Sequence, residues 1–272
     1  MNRSPVRRIV RLIGDLPMVV NIAVRAHSLS TRVMRHHMQY GYDDPRVNGE
    51  FWLLRTVAHE IRTYVDVGAN RGDYCAAVLA ECPSATGFAF DPGIAAYAAL
   101  TERFSGERRV TVQRVAISDT SGKARFYEEP DVGLGSSLIR SIARSGAIEI
   151  ATDVTTIDIV AHQAKWDRID LLKIDAEGHD LPVMRGAGEL LMSGAIGLIQ
   201  FEYHRTWATA GHTLLAALNM LDEYGYATYL IKGEGLYSFN YTKYGDFFSY
   251  ANFASFPKGS LSRFRSLLRG DV

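Results

Sequence analysis

The sequence predicts an α/β fold in which a mostly parallel sheet is doubly wound, with helices on both of its faces. From residue 63 onwards, short apolar runs alternate with helical patterns, and this alternation is typical of repeated βα units. Two of the runs, Ile169–Ile174 and Ile196–Phe201, are largely apolar, as expected for strands that are buried on both sides. Ligands bind such sheets at the carboxyl ends of the strands, so we expect the functional site there.

The predicted elements follow one another in a regular order. The first two units are a strand over Thr63–Val67 with a helix over Asp73–Glu81, and a strand over Ala85–Phe90 with a helix over Ile94–Phe104. The remaining predicted elements are a strand over Val110–Ile117, a hairpin turn at Ser121-Gly122 leading into Ala124–Tyr127, the two apolar strands, a helix over Thr213–Tyr224, a strand over Tyr226–Ile231 and an antiparallel last strand within Phe247–Phe256. Residues 130–147, rich in Gly and Ser, are predicted to form a long loop.

Composition excludes several classes of protein. The 272 residues are 47% hydrophobic and 22% charged, which is enough to build a core and excludes disorder as the main state. A net charge of zero argues against a general nucleic-acid binder, which needs excess positive charge. No apolar stretch approaches the roughly 20 residues of a membrane-spanning helix. The two cysteines, Cys75 and Cys82, predict ordinary thiols in a reducing compartment, and hence a cytoplasmic location.

The charge is unevenly distributed along the chain. Residues 1–42 contain seven Arg and a single acid, Asp15, whereas the remainder is acidic. We therefore divide the chain into a basic helical N-terminal extension, residues 1–47, and a main domain, residues 48–272. A secretory signal is not expected, because four residues interrupt the apolar stretch that follows the first arginines: Gly14, Asp15, Pro17 and Asn21.

A short amphipathic pattern begins the basic extension. Val6, Ile9, Val10 and Ile13 share one face of a helix. One interpretation is a helix that lies on anionic lipid and gives the protein a peripheral contact with a membrane. The other is a helix docked on the main domain with its basic face in solvent, which so short a stripe favours slightly.

A glycine-containing turn, VDVGANRGDY (65–74), follows the first predicted strand and opens the first helix. Gly68 and Gly72 permit a sharp turn and close approach of a ligand, and the helix N-terminus attracts an anion. Asn70 stands where a dinucleotide fingerprint has its second Gly, which disfavours a pyrophosphate. Asp66, before the turn, is placed to meet a cationic amino group. The turn therefore fits a ligand that carries both a carboxylate and an ammonium group.

Asp91 ends the second predicted strand. An acid at this position can accept hydrogen bonds from ribose hydroxyls, although capping the following helix is an alternative role. Together, the turn and Asp91 suggest S-adenosylmethionine as the ligand.

A sharper signal comes from LLKIDAEGHDLPVMRGA (171–187). This segment resembles the signature of the FkbM-type methyltransferase family, LKID-x-EG-x-E-x-x-x-L-x-G. Further motifs of the family occur in the expected order: NGEFWLL (48–54), VDVGANRGDY (65–74), FAFDP (88–92), VAISDTSG (115–122), GLGSSL (133–138), TTID (155–158), LIQFEYH (198–204) and NFASFP (252–257). The resemblance covers roughly residues 48–257.

The resemblance implies a class I methyltransferase fold, with a Rossmann-like sheet of seven strands and its last strand antiparallel. It also implies methyl transfer from S-adenosylmethionine, usually to a hydroxyl of a sugar, glycolipid, polyketide or other secondary metabolite. By motif, the cofactor residues would be Asp66, Gly68, Asn70 and Gly72 for the methionine part, Asp91 for the ribose, and Ser118 and Asp119 beside the adenine. The chain departs from the family pattern at Asp91, which is often Glu, and at Asp180, where the signature has Glu.

Candidate catalytic residues follow two neighbouring strands: Asp175, Glu177, His179, Glu202 and His204. Transfer to a hydroxyl needs alignment and a proton acceptor. We expect Asp175 to be buried and to position the acceptor, with Glu177, Glu202 or His204 assisting. The same groups could hold Mg or Mn, but no ligand motif supports a metal, and the metal site is left unassigned.

Two further segments have alternative interpretations. The family match and the length of the Gly133–Leu138 segment favour a lid over the cofactor rather than an ordinary surface loop. The aromatic residues from Tyr237 to Phe253 could stack on sugars, although the core of the last strands is the favoured role. Two alternative functions remain: an NAD(P)-dependent oxidoreductase on a similar sheet, which Asn70 disfavours, and an inactive cofactor-binding partner protein.

Overall fold

The protein is described by a computed structural model that covers residues 9–10, 12–39, 44–130 and 135–272. The strands are β1 (Thr63–Val67), β2 (Thr86–Phe90), β3 (Val110–Gln113), β4 (Val115–Ile117), β5 (Gly122–Glu128), β6 (Ile148–Thr155), β7 (Ile169–Ile174), β8 (Ile196–Tyr203), β9 (Tyr226–Ile231), β10 (Leu236–Ser238), β11 (Ala251–Pro257) and β12 (Leu268–Asp271). The helices with assigned bounds are α1 (Pro17–Met38), α2 (Glu50–Val57), α3 (Asp73–Glu81), α4 (Ile94–Arg103), α5 (Ile157–Ala164), α6 (Asp180–Arg185), α7 (Gly188–Met192), α8 (Thr206–Thr209), α9 (Leu214–Glu223), α10 (Tyr241–Tyr244) and α11 (Leu261–Phe264). Short 3₁₀ turns follow α2, β11 and α11.

A mixed sheet of nine strands forms the centre of the molecule, in the order β12–β10–β9–β11–β8–β7–β1–β2–β3. Strands β3, β2, β1, β7 and β8 are parallel, and β11 runs antiparallel to both β8 and β9. The predicted α/β fold is thus confirmed, and so is an antiparallel strand near the end of the chain. The sheet has nine strands rather than seven, because β10 folds back on β9 and β12 then pairs with β10.

Strand alternation divides the core between the two faces of the sheet. In β1, Val65 and Val67 belong to the cluster that packs against α5, α6 and α9, whereas Tyr64 belongs to the cluster that packs against α2, α3 and α11. Successive side chains of a strand point to opposite faces, so helices cover both faces, as a doubly wound sheet requires. Asp66, which shares its face with Tyr64, is a buried polar residue in this strand.

A small second sheet, in the order β4–β6–β5, corrects two predictions. The predicted strand over Val110–Ile117 is broken at Arg114, so that β3 joins the large sheet and β4 the small one. The predicted hairpin is also wrong, because β6 lies between β4 and β5 and pairs with both. Strand β6 was not predicted, although Ile148, Ile150 and Val154 alternate with other residues as in a strand; only one of its eight side chains, Thr152, is buried.

The N-terminal extension contains the long helix α1, which starts at Pro17, as a first-turn proline allows. Ahead of it, Ile9, Val10 and Ile13 are helical but 40–59% exposed. These three residues therefore do not dock on the main domain. Val6 and the arginines at 3, 7, 8 and 11 lie outside the described residues. Within the described part of the chain, no helix combines the length and the apolar character needed to cross a membrane.

Candidate active site

A cavity of about 1020 Å³ opens at the carboxyl edge of the large sheet. Its walls come from the ends of β1, β2, β7 and β8, from the β4 and β5 strands of the small sheet, and from Arg35 of α1 and Glu50 of α2. The predicted residues that line it are Asp66, Gly68, Asn70, Asp91, Asp175, Glu177, His179, Glu202 and His204. The strand ends therefore bring the cofactor candidates and the catalytic candidates into one space, as the sheet topology predicted.

The β1–α3 turn lies unusually close to its neighbours. The backbone N–H groups of Gly68 and Ala69 both donate to the carbonyl oxygen of Phe90, at 3.0 Å. Gly68 has a φ of +76°, and a Cβ at this position would collide with the carbonyl oxygen of Asp175. Glycine is therefore required at residue 68 both by conformation and by space. Asn70 also adopts a positive φ, of 48°, which Asn tolerates better than most residues.

Asp66 is a buried carboxyl group without a full set of partners. Its residue is 2% exposed, and Oδ2 has no hydrogen-bond partner. Burial raises the pKa of Asp66 to about 7, and the nearby Lys173 only partly counters this. Near it in the same turn, Oδ1 of Asn70 is likewise buried and unpartnered. Buried polar atoms are normally satisfied, so two orphaned acceptors lining one cavity fit a ligand that brings hydrogen-bond donors.

Asp91 holds the turn from the neighbouring strand end. Its Oδ2 accepts from the backbone N–H of Asn70 at 3.0 Å, and its Oδ1 from that of Gly93 at 2.9 Å. Burial raises the pKa of Asp91 to about 6, against the lowering effect of these two bonds. Asp91 is not the N-cap of α4, which is Gly93. Each carboxylate oxygen keeps acceptor capacity toward the cavity.

Three of the predicted cofactor residues do not line the cavity: Gly72, Ser118 and Asp119. At Gly72, with a φ of +79°, a side chain would strike the ring of Phe104, so this glycine shapes the turn. The hydroxyl of Ser118 is instead hydrogen-bonded to Nε2 of His179 at 2.8 Å. Family motifs located these residues near the site but could not specify the direction of their side chains.

The loop after β7 is fixed from within by Asp180. Its two carboxylate oxygens accept from the backbone N–H groups of Ala176, at 3.2 Å, and Gly178, at 3.1 Å. Burial raises the pKa of Asp180 to about 7. Asp180, which is one methylene shorter than the Glu of the family signature, therefore fixes the backbone of the loop that carries Asp175 and Glu177.

The candidate catalytic groups differ in their exposure. The side chain of Asp175 is 37% exposed, so the expectation that it is buried is wrong: it points past the strand end toward the cavity. Burial, followed by the charge of Asp175, raises the pKa of Glu177 to about 7 and the pKa of Glu202 well above its usual range. Burial lowers the pKa of His204, which keeps the imidazole neutral at pH 7. The accessible carboxyl group of Asp175 thus lies near two carboxyl groups, Glu177 and Glu202, whose pKa values are raised.

A buried polar network beneath this acid cluster was not assigned from the sequence. The carboxylate of Glu50 accepts from Asn48 Nδ2 at 2.7 Å, from Gln200 Nε2 at 2.8 Å and from Asn252 Nδ2 at 3.0 Å. Lys173 Nζ lies 3.6 Å from the carboxylates of both Glu50 and Asp175. The signal was present in the sequence, because these polar residues interrupt apolar strands and recur in the family motifs.

Sheet register explains how this network forms. Lys173 of β7 is paired with Asp66 of β1 on one side and with Gln200 of β8 on the other. Paired residues point to the same face of a sheet, so the three polar side chains form a row on the face that α2 covers. Glu50, in the first turn of α2, meets that row.

The predicted lid is described only in part, because Gly133 and Leu134 lie outside the described residues. Gly135, Ser136 and Leu138 line the cavity. Ser137 does not line the cavity but anchors the segment. It forms two backbone hydrogen bonds with Tyr127, and its hydroxyl donates to the carbonyl oxygen of Glu177 at 3.1 Å.

Most of the aromatic C-terminal segment belongs to the core. Phe253 is fully buried and stacks on Phe201 with ring centroids 5.4 Å apart, and Phe247 packs edge-on against Tyr203 at 5.0 Å. Phe248 and Tyr250 are the members of the segment that line the cavity. The favoured interpretation, a core role, therefore describes most of these rings.

Among the described residues, no group of three or more His, Cys, Asp or Glu side chains is arranged to hold a metal ion. The metal site considered for Asp175, Glu177, Glu202 and His204 is not supported by this geometry. Cys75 and Cys82 are both free and buried.

The strand order β3–β2–β1–β7–β8–β11–β9, with an acidic crevice at its carboxyl edge, is that of a class I, Rossmann-like methyltransferase fold. Comparison with known families identifies the particular branch. The methyltransferase FkbM domain matches residues 66–228, which is more than half of the chain. The chain therefore belongs to the FkbM methyltransferase family, as the sequence motifs predicted.

Individual relatives are more distant. The hexuronic acid methyltransferase AglP of Haloferax volcanii is 26% identical over 153 residues, which cover 56% of this chain and 60% of AglP. The chain thus spans less than two thirds of the length of this relative. Among solved structures, the methyltransferase FkbM from Methylobacillus flagellatus KT has 16% identity and a TM-score of 0.48, over 72% of this chain and 44% of that one. Precorrin-6y C5,15-methyltransferase from Geobacter metallireducens GS-15 has 12% identity and a TM-score of 0.41, over 80% and 94% of the two chains.

Proposed function

We propose that the protein transfers a methyl group from S-adenosylmethionine to a hydroxyl group of a sugar or a related small molecule. The observation that carries the proposal is the unpartnered carboxylate oxygen of Asp66, buried near the equally unpartnered amide oxygen of Asn70. Two buried acceptors at a backbone turn match the donors of an ammonium group. Membership of the FkbM family supports methyl transfer rather than the hydride transfer of a nicotinamide-dependent enzyme.

The residues of the cavity fit the separate parts of this cofactor. Asp66 would hold the ammonium group, and the turn at Gly68 would let the ligand approach the backbone. Asp91 would accept from the ribose hydroxyls with the lone pairs that its two backbone bonds leave free. Ile117 and Phe126, which line the cavity from the small sheet, offer an apolar wall for the adenine in place of Ser118 and Asp119.

The bound cofactor supplies an electrophilic methyl group on a sulfonium centre. The task of the protein is then to align the acceptor oxygen with that methyl group, which is mainly positioning. Asp175 is suited to this role, because its carboxylate is accessible from the cavity and Lys173 lies 3.6 Å behind it. It would accept a hydrogen bond from the acceptor hydroxyl and fix its direction.

The acceptor hydroxyl must also lose its proton as its oxygen takes the methyl group. Glu177 is the proposed proton acceptor, since a pKa of about 7 leaves it partly ionised at neutral pH. Glu202, whose pKa burial raises well above the usual range, would orient its neighbours as a donor in its protonated form. His204 is neutral and would assist the same proton transfer.

A sugar acid is the acceptor class that we favour. Arg144 and Arg205 line the same cavity, and an arginine is well matched to a carboxylate. The relative AglP is named for its action on hexuronic acid, which is consistent with that choice. An acceptor carboxylate held by these arginines would leave a ring hydroxyl free to meet Asp175.

The test is transfer of labelled methyl from S-adenosylmethionine to a glucuronic acid glycoside and to the matching neutral glucoside. The wild-type chain is expected to label the acidic glycoside preferentially. Asp175→Asn is expected to lower turnover about a hundredfold with cofactor affinity nearly unchanged. Asp222→Asn, a surface carboxyl paired with Lys258, is the matched control and should retain full activity.

Three results would count against the proposal. Equal turnover by Asp175→Asn would remove its positioning role, and preference for the neutral glucoside would remove the sugar-acid specificity. Cofactor binding without labelling of either glycoside, or of any fraction of a host lysate, would favour an inactive cofactor-binding partner protein.

A further inference from the structure

Helix α1 has a composition unlike the rest of the protein. Its 22 residues contain no Asp or Glu, but they include three arginines, Arg25, Arg32 and Arg35, and three histidines. At 1.5 Å per residue such a helix is roughly 33 Å long. It is therefore long and carries positive charge only.

The contacts described between α1 and the main domain lie in its last two turns. Met38 is buried at 1% exposure, Met34 packs partly against the core, and Lys232 Nζ donates to the carbonyl oxygen of His37 at 2.8 Å. The residues of the first four turns are almost all exposed. The helix thus projects from the point where it docks.

A stripe of large apolar side chains runs along the projecting helix: Met18, Ile22, Leu29 and Val33. These four are 60–71% exposed. Their spacing of four, seven and four residues keeps them on one face, and Met34 and Met38 lie toward the opposite side. The stripe therefore faces away from the main domain, and Arg25 and Arg32 flank it on one side.

We propose that the apolar stripe of α1 lies on an anionic lipid surface. An exposed apolar stripe with only cationic neighbours is the arrangement that inserts into the boundary between headgroups and acyl chains, while its arginines meet lipid phosphates. A soluble partner would bury the stripe but would have to supply every counter-charge itself, since the helix has no acid of its own. The proposal concerns binding alone and is independent of the reaction at the cavity.

This surface differs from the one suggested by the sequence, which was the face of Val6, Ile9, Val10 and Ile13. The exposed stripe on α1 is longer and begins after Pro17. Arg35, near the docked end of the same helix, lines the active-site cavity. Binding of α1 to lipid would therefore hold the cavity near that surface.

The experiment is flotation of the full-length protein with phosphatidylcholine vesicles that contain either no anionic lipid or about 30% phosphatidylserine. Wild-type protein is expected to float with the anionic vesicles only. The double variant Ile22→Glu/Leu29→Glu is expected to lower the vesicle-bound fraction more than tenfold. Val20→Glu/Val24→Glu is the matched control: it adds the same two charges at exposed positions that each lie nearly opposite Ile22 on the helix, and its binding should change less than about twofold.

Thermal unfolding of each variant shows whether the main domain is intact, and circular dichroism shows whether α1 has formed. Equal flotation of wild type and the double variant would overturn the proposal, and so would equal binding to the two kinds of vesicle. A dimer by light scattering that the double variant converts to a monomer, without vesicle binding by either, would assign the stripe to a second copy of the chain.

Discussion

The ammonium nitrogen of Lys173 lies 3.6 Å from Oε2 of Glu50, and the two side chains are only 5% and 6% exposed. This pair joins the central strand β7 to helix α2 directly beneath Asp175. Burial lowers the pKa of Lys173, but the charges of Asp175 and Glu50 outweigh it, and the net pKa is raised well above the usual value. A permanent cation therefore balances the acids on this side of the cavity.

Replacing Lys173 with Met should destabilise the protein by about 3 kcal/mol, because the change leaves a buried carboxylate without its counter-charge. Urea unfolding of the two proteins measures the difference. In the double variant with Glu50→Gln, the loss should be smaller than the sum of the two single losses, since the unpaired charge is gone. Additive losses would show that the two residues do not act as a pair.

Asp66 is predicted to reduce the stability of the ligand-free protein as the pH rises. Its pKa is about 7 in the folded chain, against a reference value of 3.8, so the folded state holds a proton that the unfolded state releases between those values. Stability that depends on this proton is therefore lost between about pH 4 and pH 7. Asp66→Asn cannot titrate, so its stability relative to wild type should rise by about 4 kcal/mol over that interval.

The measurement is urea unfolding of wild type and Asp66→Asn at about pH 4 and pH 8 without cofactor. Taking the difference between the two proteins cancels the contributions of the other buried acids and of the histidines. The same pH dependence in both proteins would mean that Asp66 is not held protonated by its surroundings.

Glu177 and Glu202 are predicted to differ in their effect on turnover. Glu177→Gln removes a carboxylate that ionises near pH 7, so turnover should fall about a hundredfold and lose its rise through neutral pH. Glu202→Gln replaces a carboxyl group whose pKa burial raises well above the usual range; because the uncharged amide resembles the protonated form that burial favours, the variant should retain at least about half of the wild-type turnover. If Glu202→Gln lowered turnover as much as Glu177→Gln, the assignment of Glu177 rather than Glu202 as the proton acceptor would be wrong.

Much of the large sheet could be predicted from the sequence because its strands are buried on both faces. The observed bounds of β1, α3, β7 and β9 are the predicted ones. By contrast, β6 buries only one of its eight side chains; its alternating residues Ile148, Ile150 and Val154 were not assigned to a strand, and its absence from the prediction led to the false hairpin. The added edge strands β10 and β12 are only three and four residues long, too short for a periodic pattern.

The site was predictable to the level of strand ends but not of side-chain direction. Asp66 and Asp91 follow from their positions beside the turn, and both line the cavity. Two features depend on packing between distant segments: the exposure of the Asp175 side chain, and the hydrogen bond of Ser118 to His179, which turns the serine away from the cavity. Glu50 lies 150 residues from Gln200 in the chain; each polar residue stands out locally in the sequence, but their pairing depends on packing between distant segments.

The most direct test of the account is calorimetric titration of the purified chain and of Asp66→Asn with S-adenosylmethionine. Wild type is expected to bind one equivalent, with an affinity that increases as the pH rises toward about 7 and Asp66 ionises. Asp66→Asn, which keeps the shape but not the charge, should bind at least about a hundredfold more weakly at about pH 8, and the difference should shrink at lower pH, where Asp66 of the wild type is protonated. Equal affinity for the two proteins, or no binding by wild type, would contradict the assignment of this turn as the cofactor site.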